Sequence, residues 1–285
     1  MTKLTFDTNI NVIPNSVEIQ IIKTINTNPP ECYKKMSDSE IKKINSDIIN
    51  NPEFKKYSIN LEQVKSIRSS YIKNKMIKKH GYLIAKTNSI LKDYNSGLNV
   101  LQLSKKYDGS PLNIMRIILL KKNSKTKVKL FFNNPEKLNA YDYEQFIIAK
   151  DNDDFALVNQ DNIQAQSLQF EKLIEQVLIH LGIKFKTQEQ LVEEQIKLYG
   201  KPINTPDFLI ESEFIINNRQ INWIDAKNFY GSDINFVKSK IKTQTQKYLQ
   251  EYGSGCIVFA LGFNELYNQD KDILYMSWNT FSNFN

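Results

Sequence analysis

The sequence has few of the residues on which metal centres and covalent catalysts most often depend. Its 285 residues include two cysteines, Cys32 and Cys256, and two histidines, His80 and His180. No CxxC pair occurs, so a zinc finger is excluded, and neither histidine has a surrounding motif that would indicate a Ser-His or Cys-His nucleophile. No glycine-rich P-loop or dinucleotide fingerprint is present. Any chemistry therefore has to come from carboxylates, lysines and hydroxyl groups.

Long apolar runs are also missing. The longest apolar stretch, residues 114–120, contains Arg116 and is too short to cross a bilayer. The first residues lack the apolar core of a secretory signal. Because cysteines are few as well, we expect a protein of a reducing compartment, the nucleus or the cytoplasm, with no membrane attachment.

Positive charge is concentrated in one part of the chain. The total net charge is +7, yet residues 55–130 hold sixteen lysines and two arginines against three acidic side chains, a net +15, so the rest of the chain carries −8. Lysines neutralise phosphates well but read base edges poorly. This distribution predicts a polyanionic partner, with DNA or RNA as the first choice.

Hydrophobic periodicity divides the chain into four segments. Residues 1–30 are polar and aperiodic and are interpreted as a loose tail, whereas residues 31–125 have the period of helices and form a basic helical domain. Residues 126–140 are interpreted as a linker. Residues 141–285 are interpreted as a mixed α/β domain, so the expected fold class is α+β or α/β with an N-terminal all-helical domain.

The expected order of elements in the last segment is helix, three strands, helix and strand. The helices are expected at residues 166–181 and 235–252, and the strands at 207–210, 214–216, 220–226 and 257–261, with an edge strand at 273–276. Asn217-Asn218 is expected to form a hairpin turn.

A helix-turn-helix outline lies in the helical domain. A short helix at 100–107, the turn Asp108-Gly109 and a second helix at 112–122, capped by Ser110-Pro111, follow one another. The second helix is apolar nearly all round, so a buried bundle helix would look the same, and both interpretations stay open. The residues expected to contact nucleic acid are Asn113, Arg116, Lys105, Lys106, Lys121 and Lys122.

Two aspartates and a lysine form the pattern that points to chemistry. Asp207 opens one strand, and Asp225 and Lys227 share a face of another because side chains alternate along a strand. Two converging carboxylates repel each other unless a cation lies between them, and oxygen ligands without His or Cys favour Mg²⁺ or Mn²⁺. Glu211 and Glu213 alternate onto the face of Asp207, so one of them could be the ligand instead.

Asp207 followed by Asp225-x-Lys227 resembles the PD-(D/E)xK nuclease motif. The longer stretches 205–209, 222–231 and 251–263 resemble the codanin-interacting nuclease family, which is similar to Holliday-junction resolvases. The resemblance implies a restriction-endonuclease-like domain, a metal-dependent DNA endonuclease, a codanin-like protein partner and a nuclear location. Resolvase-like enzymes often act as dimers, so a homodimer stays open.

The resemblance also implies a set of metal ligands. Asp207 and Asp225 would hold Mg²⁺ or Mn²⁺, with the carbonyl oxygen of Ala226 as a third ligand. An acidic residue of the preceding helix would join them, directly or through water. Glu171 is preferred, and Glu175, on the same helical face, is the alternative.

Two further roles follow from the same resemblance. Lys227 would orient the attacking water or stabilise charge on the phosphate, and Gln244, on the helix after the strand, would position the phosphate or the water. Tyr248, one turn after Gln244, is interpreted as a packing residue.

Three functions compete at this level. The first is the metal-dependent endonuclease. The second is a catalytically weak DNA-binding adaptor of a chromatin-related complex, and the third is a helix-turn-helix regulator with an accessory α/β domain. Divalent-ion binding at the two aspartates separates the first from the second, and sequence-specific DNA binding would favour the third.

Overall fold

The structure is a computed structural model that describes residues 3–156, 160–269 and 271–284, with backbone only for residues 160–163 and 269. The α-helices are α1 (Asn15–Thr24), α2 (Asp38–Asn50), α3 (Pro52–Lys56), α4 (Leu61–Ala85), α5 (Thr87–Asn95), α6 (Val100–Tyr107), α7 (Pro111–Lys122), α8 (Lys125–Asn133), α9 (Ala140–Asp151), α10 (Gln160–His180), α11 (Gln188–Tyr199), α12 (Asn235–Tyr252) and α13 (Trp278–Phe281). The strands are β1 (Leu4–Phe6), β2 (Phe185–Thr187), β3 (Phe208–Ile210), β4 (Phe214–Ile216), β5 (Arg219–Gln220), β6 (Trp223–Lys227), β7 (Gly255–Phe259) and β8 (Ile273–Ser277). The fold is of the mixed α and β class, as predicted.

The chain forms two compact units, each assembled from separate stretches of sequence. Unit 1 comprises Met1–Lys23, Ile48–Ile67 and Gln160–Asn285, and unit 2 comprises Thr24–Asp47 and Arg68–Asn159. Every described strand lies in unit 1, whereas the described part of unit 2 is helical. No described helix is both long and apolar enough to cross a membrane.

The main sheet of unit 1 has five strands in the order β2-β3-β6-β7-β8. β2, β3 and β6 pair antiparallel, whereas β6, β7 and β8 pair parallel. Ile224 and Cys256 of this sheet belong to the same hydrophobic core as Ile174 of α10. Trp223, on the other face of β6, packs against Tyr248 of α12 with ring centroids 5.1 Å apart. The helices α10 and α12 therefore cover opposite faces of the sheet.

A second sheet differs from the expected topology. β1, β4 and β5 form it, with a turn at Asn217-Asn218 whose φ angles are 48° and 60°. The hairpin turn is thus confirmed, but the expected strand 220–226 is divided between two sheets. The amide of Ile221 donates to the carbonyl of Phe214, whereas the amide of Asn222 donates to the carbonyl of Ser254. The chain changes sheets between these two residues.

The N-terminal segment is ordered where a loose tail was predicted. β1 pairs in parallel with β4, and α1 buries Val17 and Ile21. The partner of β1 lies some two hundred positions further along the chain, so local periodicity has no signal for it. Residues 1–2 of the predicted tail lie outside the described part.

The predicted linker 126–140 also differs from the structure. α8 fills most of it, with Ser124 accepting a hydrogen bond from the amide of Lys127 and Val128 buried. The following helix, α9, contributes Phe146 and Ala149 to the core of unit 2. The last boundary between the units along the chain therefore lies between residues 159 and 160, because α8 and α9 pack with the helices that precede them.

The helix-turn-helix outline is present in unit 2. α6 ends at Tyr107 and is followed by Asp108, which adopts a left-handed conformation (φ 51°). The hydroxyl of Ser110 caps α7 by accepting from the amide of Asn113. Most of α7 is buried in the core of unit 2, notably Ile114, Met115 and Ile118. α7 therefore has the burial expected of a bundle helix.

Candidate functional site

The site forms where β3 and β6 lie side by side in unit 1. Phe208 pairs with Ile224 in this antiparallel ladder, and continuing the register by one residue sets Asp207 opposite Asp225. The carboxylate of Asp207 accepts a hydrogen bond of 2.7 Å from the amide of Ala226. The predicted convergence of the two aspartates at one end of the sheet is therefore observed.

Lys227 lies between these carboxylates and the helix α12. Its ammonium group contacts Oδ2 of Asp225, whose side chain is 1% exposed, and donates to Oε1 of Gln244 at 3.1 Å. The amide nitrogen of Gln244 in turn donates to Oδ1 of Asp225 at 3.2 Å. Gln244 thus bridges the acid and the base of the predicted motif.

Tyr248 joins this network, although its sequence pattern indicated only packing. Its hydroxyl accepts from Nε2 of Gln244 at 2.9 Å and lies 3.4 Å from Oδ1 of Asp225 and 3.3 Å from the carbonyl oxygen of Thr205. The signal that could have found it is the spacing of four residues from Gln244, which puts both side chains on one flank of a helix.

Burial and like charge shape the electrostatics of the site. Burial raises the pKa of Asp207 well above its ordinary value and the charge of Asp225 raises it further, while Lys227 and the Ala226 amide oppose the shift. Burial by itself would lower the pKa of Lys227, but Asp225 and Asp207 outweigh it, so the pKa of Lys227 is raised. Lys227 is therefore protonated at neutral pH, and both Asp207 and Asp225 interact with its positive charge.

Glu171 of α10 borders the same site. Burial raises the pKa of this half-buried side chain, and the charge of Asp225 raises it further, against the opposing effect of Lys227. Within the described residues, neither Glu171 nor Glu175 forms a hydrogen bond or ion pair with these residues. The electrostatic interaction of Glu171 with Asp225 and Lys227 is what distinguishes it, the preferred residue of the two.

Glu211 and Glu213 lie elsewhere. Glu213 forms an ion pair with Lys3 at 3.2 Å, and Glu211 lies 3.8 Å from Lys186. Both side chains are close to half exposed and neither contacts Asp207. Their alternation with Asp207 suggested a ligand role. Because β3 ends at Ile210, strand alternation does not apply to Glu211 and Glu213, and their side chains do not share the face of Asp207.

A second network, not anticipated from the sequence, holds the segment that leads to Asp207. Oε1 of Gln195 on α11 accepts from the amides of Ile203 and Asn204 at 2.6 and 3.0 Å, and its Nε2 donates to the Asn204 carbonyl at 2.7 Å. The hydroxyl of Tyr252 on α12 donates to that same carbonyl at 2.7 Å. Gln195 and Tyr252 therefore clamp the backbone three residues before Asp207.

The types of residue at the site suit a hard divalent cation, although their carboxylates are not gathered around one position. Glu171, Asp207 and Asp225 offer three carboxylates against the single ammonium of Lys227, which leaves an excess of negative charge that Mg²⁺ or Mn²⁺ would neutralise. Within the described residues, no three acidic, His or Cys side chains are gathered in ligand geometry. The carbonyl of Ala226 as a ligand stays a prediction, since the structure assigns only its amide to Asp207.

The chain can now be compared with known proteins. A family model described as a protein of unknown function with the TPD sequence motif matches residues 137–279, half of the chain. The chain belongs to the TPD sequence-motif family. The sequence Thr-Pro-Asp occurs here at Thr205-Pro206-Asp207, and Asp207 provides the first carboxylate of the site.

One relative of this TPD-family chain comes from a virus. The uncharacterised protein L539 of Acanthamoeba polyphaga mimivirus is 34% identical to it over 107 residues, which cover 36% of this chain and 37% of that protein. The match thus spans little more than a third of the relative's length. No solved structure matches the chain significantly.

The residues predicted to contact nucleic acid lie in unit 2, and three already have intramolecular partners. Lys106 forms an ion pair with Asp93, Lys122 forms one with Asp142, and the guanidinium of Arg116 lies 4.0 Å from the centroid of the Phe132 ring. The remaining three are Lys105 and Lys121, which are exposed, and Asn113, which is half-buried. Contact of these six with nucleic acid stays a prediction.

Proposed function

We propose that the chain is a metal-dependent endonuclease that hydrolyses phosphodiester bonds in DNA, and that unit 1 is a PD-(D/E)xK-like domain. The observation that carries the proposal is the meeting of Asp207 and Asp225 with Lys227 where β3 pairs with β6. These residue types at a sheet end suit phosphoryl chemistry because carboxylates hold hard cations and an ammonium group stabilises phosphate charge.

Asp207, Asp225 and Glu171 would hold Mg²⁺ or Mn²⁺, with the Ala226 carbonyl as a further ligand. The bound ion would supply positive charge that polarises the scissile phosphate. Burial of Asp225 excludes solvent from this point, which strengthens each electrostatic interaction in the site.

Side chains of the protein would carry out the proton transfer and stabilise the charge that develops on the phosphate. Glu171 has no hydrogen-bond donor among the described residues, so of the three carboxylates it is the one that could accept the proton of an attacking water in place of holding the ion directly. As the water oxygen bonds to phosphorus, the bond to the leaving oxygen breaks and charge builds up on the phosphoryl oxygens. Lys227, whose ammonium group donates a hydrogen bond to Gln244, would stabilise that charge.

DNA binding would involve the lysines of unit 2, which contains residues 68–130 of the basic segment. Phosphate contacts from Lys105, Lys106, Lys121 and Lys122, with Asn113 and Arg116 of α7, would hold the duplex without reading much sequence. A codanin-like partner and a homodimer rest on the sequence resemblance alone, and a nuclear or cytoplasmic location rests on that resemblance and on the low number of cysteines.

A cleavage assay tests the proposal. Labelled four-way junction, flap, nicked duplex, linear duplex and single strand are incubated with Mg²⁺, with Mn²⁺ or with EDTA. We expect metal-dependent cutting that Asp225→Asn removes and that Gln244→Ala lowers at least about tenfold. Gln246→Ala, an exposed glutamine of the same helix, is the matched control and should cut like the wild type.

One observation favours a second function, the catalytically weak adaptor. The ammonium of Lys227 already contacts Asp225, so a metal ion has to compete with a built-in cation. If the wild type binds every DNA of the panel but cuts none with either metal, and Asp225→Asn binds equally well, the adaptor replaces the endonuclease.

A further inference from the structure

The end of α11 and the loop that follows it expose several large apolar side chains. Within residues 196–203, here called the α11 tip, four such side chains are between 48% and 72% exposed: Ile196, Leu198, Tyr199 and Ile203. Tyr199 is 60% exposed, and no aromatic ring or cation stacks on it within the described residues. Exposed apolar groups that lie together on a soluble protein mark a surface at which another molecule binds.

The α11 tip is held in a fixed shape by hydrogen bonds. Gly200 ends α11 in a left-handed conformation (φ 74°). The chain then turns back, so that the amides of Ile203 and Asn204 donate to the side chain of Gln195 at 2.6 and 3.0 Å. Gln195 lies one turn before Tyr199, which sets Ile203 beside the last turn of the helix. The exposed apolar residues therefore form one preformed surface, and a ligand that binds there has little chain to order.

Both charged residues of the α11 tip are lysines. Lys197 and Lys201 are exposed, and neither forms an ion pair within the described residues. Glu193 lies one turn before Lys197 on α11. Lys247 and Glu251 of α12, one turn apart beside the loop, offset each other. One positive charge therefore remains when these neighbours are counted.

This composition suits nucleic acid better than protein. Lysine is depleted in protein–protein interfaces, yet in the α11 tip lysines alternate with the apolar residues. Leucine, isoleucine and proline are residue types with which DNA-binding proteins wedge open base steps, and Leu198, Pro202 and Ile203 are all exposed. A tyrosine ring offers the flat face on which an unpaired base stacks, and lysines pair with the flanking phosphates.

The α11 tip is close to the acidic site. Four residues lead from Ile203 to Asp207, a span of at most about 14 Å. The carbonyl of Thr205, between the two, lies 3.3 Å from the hydroxyl of Tyr248, and that hydroxyl lies 3.4 Å from Asp225. Because successive phosphates of one strand of B-DNA advance by about 3.4 Å along the helix axis, a strand bound at the acidic site is within about four nucleotides of the tip.

We propose that the α11 tip is a wedge for DNA strands that part beside the cutting site. Leu198 and Ile203 take the place of a base pair at the point of separation, and Tyr199 stacks on an unpaired base. Lys197 and Lys201 bind the flanking phosphates. The inference rests on the proposed function and names its substrate class, a duplex that ends in a fork or flap next to the scissile phosphate.

Binding in EDTA tests the wedge without cleavage. The full chain is titrated into a labelled duplex that ends in an unpaired fork, and into a blunt duplex of the same length. We expect the wild type to prefer the fork about tenfold, and Leu198→Ser/Ile203→Ser to bind the two DNAs within about twofold of each other. Leu173→Ser/Ile179→Ser makes the same changes at exposed positions of α10 and should keep the preference.

A fluorescent base reports the separation of the strands directly. With 2-aminopurine in the last base pair of the fork, the fluorescence should rise about threefold when the wild type or the α10 variant binds, because the base is unstacked. With Leu198→Ser/Ile203→Ser at saturating concentration, the fluorescence should stay close to that of the free DNA. Thermal unfolding of both double variants confirms that each is folded.

Three outcomes overturn the proposal. The first is a wild type that binds fork and blunt duplex equally, and the second is a loss of preference that is the same in the two double variants. The third is a dimer, seen by light scattering, that Leu198→Ser/Ile203→Ser converts to a monomer, since the tip would then join two copies of the chain. Because EDTA removes the metal, a chain that prefers the fork yet cuts no DNA with Mg²⁺ or Mn²⁺ would contradict the nuclease and leave the wedge standing.

Discussion

The ammonium group of Lys227 contacts the carboxylate of Asp225, two residues earlier on the same face of β6. Asp225 also accepts from Gln244, so the carboxylate is paired from two elements before any metal binds. A divalent cation that binds Asp225 therefore either displaces the ammonium group of Lys227 or binds the same carboxylate together with it.

Removing Lys227 should separate metal binding from catalysis. We expect Lys227→Ala to bind Mg²⁺ about tenfold more tightly, because the competing cation is gone, and to cut DNA at least about a hundredfold more slowly. In EDTA the variant should lose roughly 3 kcal/mol of stability, since a buried carboxylate is left unpaired. Calorimetry of Mg²⁺ binding and thermal unfolding with and without Mg²⁺ measure both effects.

Asp225→Asn is the control for this prediction. It should abolish Mg²⁺ binding and cutting together, because the ligand and not its competitor has been removed. Unchanged Mg²⁺ affinity in Lys227→Ala would show that the ammonium does not compete for the metal position.

The choice between Glu171 and Glu175 gives the second prediction. Glu171 interacts electrostatically with Asp225 and Lys227, so Glu171→Gln should lower kcat by roughly a hundredfold or more. Glu175→Gln makes the same change one turn away on α10 and should stay within about twofold. Equal losses in the two variants, or a loss in Glu175→Gln alone, would remove Glu171 from the proposed mechanism.

The main elements of the site could be predicted because their signals are local. Strand alternation places Asp225 and Lys227 on one face, and the helix predicted at 235–252 coincides with α12. These two inferences need only a short window of sequence and the geometry of one element. The choice of Gln244 on that helix came from the family resemblance, and the meeting of Asp207 with Asp225 from the assumption that their strands are neighbours.

What the sequence could not reveal depends on pairings between distant segments. β1 is three residues long and is held by β4, and α8 joins the core of unit 2 through Val128, so neither the tail nor the linker could be recognised as structured. Gln195 resembles any other helical glutamine until Ile203 and Asn204 are folded against it. Such roles arise from tertiary contacts, which local periodicity does not encode.

The clamp on Asn204 gives the third prediction. Gln195→Ala leaves the amides of Ile203 and Asn204 without their acceptor, while the Asn204 carbonyl keeps the hydroxyl of Tyr252; the change should cost roughly 1–3 kcal/mol of stability. Because this segment leads to Asp207, we also expect Mg²⁺ affinity to fall about tenfold at temperatures where the variant is folded. Gln246→Ala, at an exposed position, should change neither quantity; a Gln195→Ala protein with wild-type Mg²⁺ affinity would contradict a positioning role.

Glu18 gives a prediction about pH. This side chain of α1 is 2% exposed and accepts from Nδ2 of Asn264 at 2.7 Å and from the amide of Asp233 at 3.0 Å. Burial raises its pKa from 4.5 to about 7, with a further rise from the charge of Asp233, while the donors Asn264 and the Asp233 amide oppose it. The folded state therefore holds the proton of Glu18 more tightly than the unfolded state does.

It follows that Glu18 stabilises the fold fully below about pH 4.5 and loses this contribution as pH rises through about 7. The free energy of unfolding of Glu18→Gln, measured by urea titration relative to the wild type, should increase by roughly 3 kcal/mol across that window and then level off. Glu189→Gln, the same substitution at an exposed position of α11, is the matched control. A flat difference for Glu18→Gln would mean that its pKa is not raised.

The close approach of Gly255 to Trp223 gives the last prediction. A Cβ at position 255 would lie 2.1 Å from Cε2 of the indole, whose Nε1 donates to the Gly253 carbonyl at 2.8 Å, so neither the ring nor strand β7 can move freely. Gly255→Ala should cost about 2 kcal/mol or more of stability, measured by thermal unfolding. Gly81→Ala, inside α4 with open space around its Cα, should instead stabilise its helix by about 0.5–1 kcal/mol. If both variants unfold like the wild type, the indole does not pack against β7, and Trp223 does not anchor the face of β6 on which Asp225 and Lys227 lie.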